Sequence, residues 1–172
     1  MTAPTPHAPR QRSPELDRPE VHPSPHVLDA ALKRRAELWD TVRDLNRTLA
    51  SPSPGREAVW TSNVSAALEE LRKDIVEHVE TTEATDGIYD EIRAAAPRLI
   101  NQVDRLIKDH EVMQARIDAC CALAAEAAQD PATMVKVVRD DATEVVALLQ
   151  RHRQRGSDLV FEAFETDIGG GE

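Results

Sequence analysis

Apolar side chains recur along this chain in alternating steps of three and four, the period of a helix with one buried face. The first stripe runs Leu28, Ala31, Arg35, Leu38, Val42, Leu45, Leu49 and is apolar but for Arg35. Ser51-Pro52-Ser53-Pro54-Gly55 ends it, because proline removes a backbone donor and glycine favours a turn. A second stripe, Trp60, Val64, Leu68, Leu71, Ile75, His78, Thr82, stops at Thr85-Asp86-Gly87. Ile88 to Ala95 reads as a short helical turn, and Pro97 suits the first turn of the helix that follows. That helix carries Leu99, Val103, Leu106, His110, Met113, Ile117, Cys120 and Ala124. Gln129-Asp130-Pro131 separates it from a last stripe, with Asp130 as cap and Pro131 at the first helical position. The last stripe runs Val135, Val138, Ala142, Val145, Leu149, His152, Gly156, Leu159, Ala163. The pattern predicts an all-α fold, an antiparallel up-down-up-down four-helix bundle, with helices over roughly 27–50, 56–84, 96–127 and 131–165.

The flanks differ in character. Residues 1–25 hold seven of the eleven prolines and almost no large apolar side chains. Such a segment buries too little surface to offset the entropy of ordering, so a disordered tail is expected there. The bundle is expected over 26–166, and Gly169-Gly170-Gly171 marks a frayed end over 167–172.

Composition agrees with helices: 41% of residues are hydrophobic but only 3% aromatic, with Ala, Leu and Val dominant. The net charge of -10 disfavours nucleic acid, and Arg151-His152-Arg153-Gln154-Arg155 reads as a solvated helix face rather than a binding patch. Cys120 and Cys121 are neighbours, poorly placed for a disulfide with each other and too few for a zinc knuckle, which fits a reducing compartment. No apolar leader and no membrane-spanning stretch is seen, so a cytoplasmic protein without membrane contact is expected. No Gly-rich phosphate loop, no His-Glu-x-x-His and no serine with a placed base occurs, so no catalytic residue is assigned. The nearly continuous apolar run Leu159, Val160, Phe161, Ala163, Phe164 is either the end of the core or a surface for a protein partner or homodimer on the C-terminal helix.

The candidate chemistry lies in three histidines. His78, His110 and His152 fall on the second, third and last stripes, each where the stepping demands an inward-facing residue. Counted from the connectors, Arg35 is level with His78, and His110 with His152, to within about one turn. A shared polar layer of these four residues is the geometric expectation. Facing imidazoles are how a bundle builds a metal site, and neutral histidine suits iron and zinc. The bland alternative is that each is a core histidine satisfied by its neighbours.

His78-Val79-Glu80-Thr81-Thr82-Glu83, Asp86-Gly87-Ile88-Tyr89-Asp90-Glu91-Ile92, Asp109-His110-Glu111 and then His152 come in an order and rough spacing that resembles the hemerythrin-like, cation-binding family of four-helix bundles. The resemblance spans about residues 28–165. It implies non-haem iron held between the helices by histidines, with bridging carboxylates from the second and fourth helices, and roles in binding or sensing. The ligand set is degenerate. Arg35 stands where the first-helix histidine belongs, Thr82 replaces one bridging carboxylate, and Gly156 or Ser157 the other. A single iron or zinc ion on His78, His110 and His152, completed by Glu83, Glu111 or water, is then expected in place of a bridged pair. The alternative is a metal-free interaction or scaffold bundle in which Arg35 finds an acidic partner, with Glu83 and Glu111 nearest.

Overall fold

The computed structural model describes residues 23–164, so the expected frayed end lies outside the described residues, as does all but the last three positions of the expected tail. Those three are not all tail: the first helix, α1, spans Pro25–Ala50, with Pro25 in its first turn, where a missing N–H costs nothing. Ser24 accepts from the N–H groups of Val27 and Leu28, and its own N–H donates to Glu91 Oε2 at 2.9 Å. Then follow α2 (Glu57–Thr82), α3 (Ile88–Ala95), a 3-10 turn over Pro97–Leu99, α4 (Ile100–Ala127) and α5 (Pro131–Phe164). There is no strand among the described residues.

The connectors behave as their residues dictate. Ser51 is extended, as the residue before a proline prefers, and Gly55 takes φ 74°. The Gly55 N–H donates to Glu57 Oε1 at 2.8 Å at the entry to α2. Arg139 of α5 braces this turn: it donates to the Leu49 carbonyl and lies 4.6 Å over the Trp60 ring. Between α2 and α3 the chain turns sharply. Asp86 adopts φ 65°, and a Cβ on Gly87 would stand only 2.8 Å from the Ala84 carbonyl oxygen. Only glycine fits that approach, and the turn lays α3 against all four long helices. What reads in sequence as a helical turn over 88–95 is thus a helix of its own, burying Ile88, Tyr89 and Ile92.

The long helices pack α1 on α2, α2 on α4, α4 on α5, and α5 back on α1. Their apolar faces form two clusters. The larger holds Leu38, Val42, Leu45, Trp60, Leu68, Ile75, Met113, Ile117, Val145 and Leu149 among others. The smaller, at the α3 end, holds Ala31, Ile88, Tyr89, Ile92, Leu99, Val103, Leu106 and Leu159. On each long helix the boundary between the two is a polar residue: Arg35 between Ala31 and Leu38, His78 after Ile75, His110 between Leu106 and Met113, His152 between Leu149 and Leu159. The polar layer is where the core is divided. Of the C-terminal apolar run, Leu159 is in the core, Val160, Ala163 and Phe164 pack against it, and Phe161 is exposed.

Candidate metal centre

Three helices each deliver one imidazole to the divide. His78, His110 and His152 are 5%, 1% and 6% exposed. One ring nitrogen from each lies within 4.8 Å of the other two. The ring centroids of His110 and His152 are 4.6 Å apart, and His78 stands edge-on to both at 5.2 and 5.7 Å.

Their hydrogen bonds orient them. Glu83 Oε1 is 2.5 Å from His110 Nδ1. A carboxylate can only accept there, so Nδ1 carries the proton and the bare Nε2 of His110 points at His152. His110 Nε2 and His152 Nε2 are 3.1 Å apart. Asp109 Oδ2 lies 3.7 Å from His152 Nδ1 and is itself held by Arg155 at 2.5 Å. His110 thus has a carboxylate hydrogen-bonded at its outer nitrogen, the arrangement that turns Nε2 inward in histidine metal sites, whereas Asp109 stands beyond hydrogen-bond distance of His152 Nδ1, which has no hydrogen-bond partner among the described residues. Tyr89 of α3 stacks on His110 with centroids 5.8 Å apart and planes 18° from parallel. Neither ring nitrogen of His78 has a hydrogen-bond partner among the described residues.

Burial sets the charge state of the cluster. It lowers the pKa of all three histidines, to about 3 for His78 and about 2 for His152, with the neighbouring rings and Arg35 adding to the effect on both. At His110 burial also lowers it, against the opposing pull of Glu83. All three are therefore neutral near pH 7, the form that ligates a metal. The donor set fits an ion as well. Nitrogens sharing one tetrahedral ion at about 2.0–2.1 Å stand roughly 3.4 Å apart, and the His110–His152 pair is already near that spacing.

Glu83 stands outside the group of three converging ring nitrogens: its Oε1 meets His110 Nδ1, on the outer side of that ring. It lies just past α2, in the turn that the α3 approach creates, which carries it toward α4. Arg35 has no acidic partner among the described residues. Its Nη1 donates to Ser157 Oγ at 3.3 Å, Glu83 is engaged by His110, and Glu111 is exposed. Of the positions where bridging carboxylates would stand, Thr82 donates back to the His78 carbonyl at 2.8 Å, and Gly156 and Ser157 face Arg35. Asp158 accepts from Gln154 on the surface.

Sequence reasoning missed Tyr89 and Asp109 as parts of the site. The signal for Asp109 was the pair His152 and Arg155, three apart on one helix and thus able to reach the same carboxylate. Tyr89 offered only its place in the short helical segment 88–95 and in the Gly87-Ile88-Tyr89 stretch of the resemblance, neither of which assigned it a role. The adjacent cysteines take no part: both are free and buried, and burial raises their thiols to about 12 for Cys120 and about 11 for Cys121. Set against protein-family models, curated proteins and solved structures, the chain matches none.

Proposed function

We propose that this chain is a hemerythrin-like four-helix bundle in which His78, His110 and His152 hold one non-haem divalent ion, zinc or iron, in a binding or sensing role. One observation carries the reading: three buried neutral imidazoles converge within 4.8 Å, and neither nitrogen of His78 has a hydrogen-bond partner among the described residues. A buried polar group left unpaired costs about 1–3 kcal/mol, which an ion at the cluster would offset. The tautomers support it too. With His110 Nε2 bare, an ion lets His152 carry its proton on Nδ1, toward Asp109. The ion would supply a Lewis-acid centre and, as iron, a redox-active one.

Support for the antiparallel arrangement comes from the order in which each helix meets the two core clusters. α1 and α4 pass from the small cluster through the polar residue to the large one. α2 and α5 pass the other way, α2 running on into Ile88 of α3. Successive long helices thus cross the layer in alternate senses, as an up-down-up-down chain does.

A metal-free scaffold is the second reading, and the 3.1 Å His110–His152 contact favours it, since one imidazole can donate to the other there. It leaves a bare His152 Nδ1 facing the Asp109 carboxylate and both His78 nitrogens unpaired. Elemental analysis of protein purified without chelator separates the two. The metal reading expects close to one equivalent of zinc or iron, released by His110→Ala, because two imidazoles hold a divalent ion poorly. Metal-free protein that also fails to take up zinc would establish the scaffold.

A further inference from the structure

Helix α2 carries a second stripe beside the one it buries. Ala58, Ser62, Ser65, Glu69, Arg72 and Val76 also step by threes and fours, the repeat of a helix that packs against another helix. Ala58, Ser62, Arg72 and Val76 are exposed, and Ser65 and Glu69 are half-buried, so the stripe is turned mostly to solvent.

The two halves of this stripe differ in relief. The N-terminal half is hollow: Ala58, Ser62, Ser65 and Ala66 of α2, with Ala125 and Ala128 of α4, border a groove of about 300 Å³. Thr61 walls the same groove at 2% exposure, and its hydroxyl has no partner among the described residues. Thr48, Thr81, Thr82 and Thr143 each donate to the carbonyl four residues earlier in their own helix; Thr61 does not. A buried hydroxyl left free in this way calls for a group from outside the fold. The C-terminal half is raised: Val76 stands out at 39% exposure, with half-buried Val79 beyond it. Between the halves lie Glu69 and Arg72, an ion pair at 2.6 Å whose side chains both stay accessible. The six residues of the stripe thus carry no net charge, in a chain whose net charge is -10.

We infer that this face is where two copies of the chain meet, their α2 helices antiparallel across a two-fold axis between positions 69 and 72. An antiparallel pair steps forward on one helix as it steps back on the other. With Glu69 opposite the partner's Arg72, Ser65 therefore faces the partner's Val76, and Ser62 faces the partner's Val79. Each valine enters the hollow of the other copy, knob into hole. The ion pair within each helix, screened by water and worth little, is traded for two across the contact. Charge selects the sense of pairing: in parallel, Glu69 would meet Glu69 and Arg72 would meet Arg72, with valine against valine and both hollows empty. The contact uses the same patch on both copies and closes at two chains. It is independent of any metal at the histidines.

Sedimentation equilibrium of the full chain, from about 1 μM to 1 mM, is the test. The expected result is a reversible monomer–dimer equilibrium. Glu69→Arg and Arg72→Glu each set like charges against each other at both 69–72 contacts and should weaken the dimer by about tenfold or more. Mixed one to one, the two variants should form a heterodimer about as tight as the parent dimer, since each supplies the charge that the other lacks. Both positions are accessible, so each variant should keep the parent's circular dichroism. Register is read with Ser65→Cys and Val76→Cys in one chain, which should oxidise to a disulfide-linked dimer. Ser65→Cys alone should not, because its counterpart lies about 16 Å away along the pair. A parent that stays monomeric across the range overturns the inference and leaves the groove to a small molecule or a partner of other sequence. A dimer indifferent to both charge reversals, a mixture that stays monomeric, or a double-cysteine chain that does not link overturns it as well.

Discussion

Replacing His78 by leucine sets two effects of opposite sign in one protein. The side chain is 5% exposed, at the edge of an apolar cluster that includes Ile75, and neither ring nitrogen has a partner among the described residues. In metal-free protein the substitution removes an unsatisfied buried imidazole and inserts an apolar group of similar size. That should stabilise the fold by about 1–3 kcal/mol. At roughly 2–4 °C per kcal/mol for a chain of this length, the thermal midpoint of chelator-treated H78L should exceed that of the parent by several degrees. Excess zinc reverses the order. The parent gains about 2.7 kcal/mol at a free concentration of a hundred times Kd, whereas the variant has lost a ligand and gains little. Two circular-dichroism melts of each protein, with chelator and with zinc, decide the matter. If chelator-treated H78L melts below the parent by several degrees, His78 has a stabilising partner and the argument from its unpaired nitrogens is wrong. If zinc raises both proteins equally, it binds somewhere other than the histidines.

Acid should weaken the metal-free fold in a way traceable to the same cluster. His78 and His152 titrate far below the unfolded value of about 6.5, so stability is complete above that pH and declines below it by about 1.4 kcal/mol per pH unit for each histidine. At pH 5 that amounts to about 2 kcal/mol apiece; urea midpoints measured from pH 7 to pH 5 should show it, and an H78L variant with an equally steep profile would contradict it. Glu83→Gln should leave metal stoichiometry at one but lower affinity by about 10–100-fold, read by competition with a chromophoric chelator, because the amide no longer fixes the His110 tautomer; unchanged affinity would deny the carboxylate that role. Gly87→Ala should cost about 1–3 kcal/mol in urea unfolding, since its Cβ would press on the Ala84 and Thr81 carbonyl oxygens at 2.8 and 3.0 Å; an unchanged midpoint would mean that the turn yields freely.

The helices were legible because burial here is one-sided and regular. Stepping by three and four over 25 or so residues leaves little freedom in which face turns inward, and Ser51-Pro52 and Asp130-Pro131 fix two connectors by backbone chemistry alone. Position 25 was read as tail because proline there looks like one more breaker, whereas in a first helical turn it is at home. Helix α3 was harder to read. Eight residues span barely two turns, too few for a period to declare itself, and the helix rests on four others rather than on its own propensity.

The site divides along the same line. Histidines at stripe positions could be placed, because a helix that buries its stripe must bury them, and counting residues from a connector gives their depth. Their partners could not be placed that way. Glu83, Asp109 and Tyr89 act from positions whose reach depends on the turn at Gly87 and on the rotamer of a long side chain, neither of which periodicity reports. Arg35 shows the limit of arguing from charge. A cation on a core stripe calls for an acid, and the nearest acids in sequence were Glu83 and Glu111. In the fold, one is engaged by His110 and the other faces solvent, while Gly156 and Ser157 of α5 leave the guanidinium a hydroxyl and a small cavity. The rule that a buried charge needs compensation still holds. What changes is where the compensation comes from: Arg35 is only half-buried and also lines an open groove with Trp39 and Asp40, so solvent screens the charge that no acidic side chain meets among the described residues.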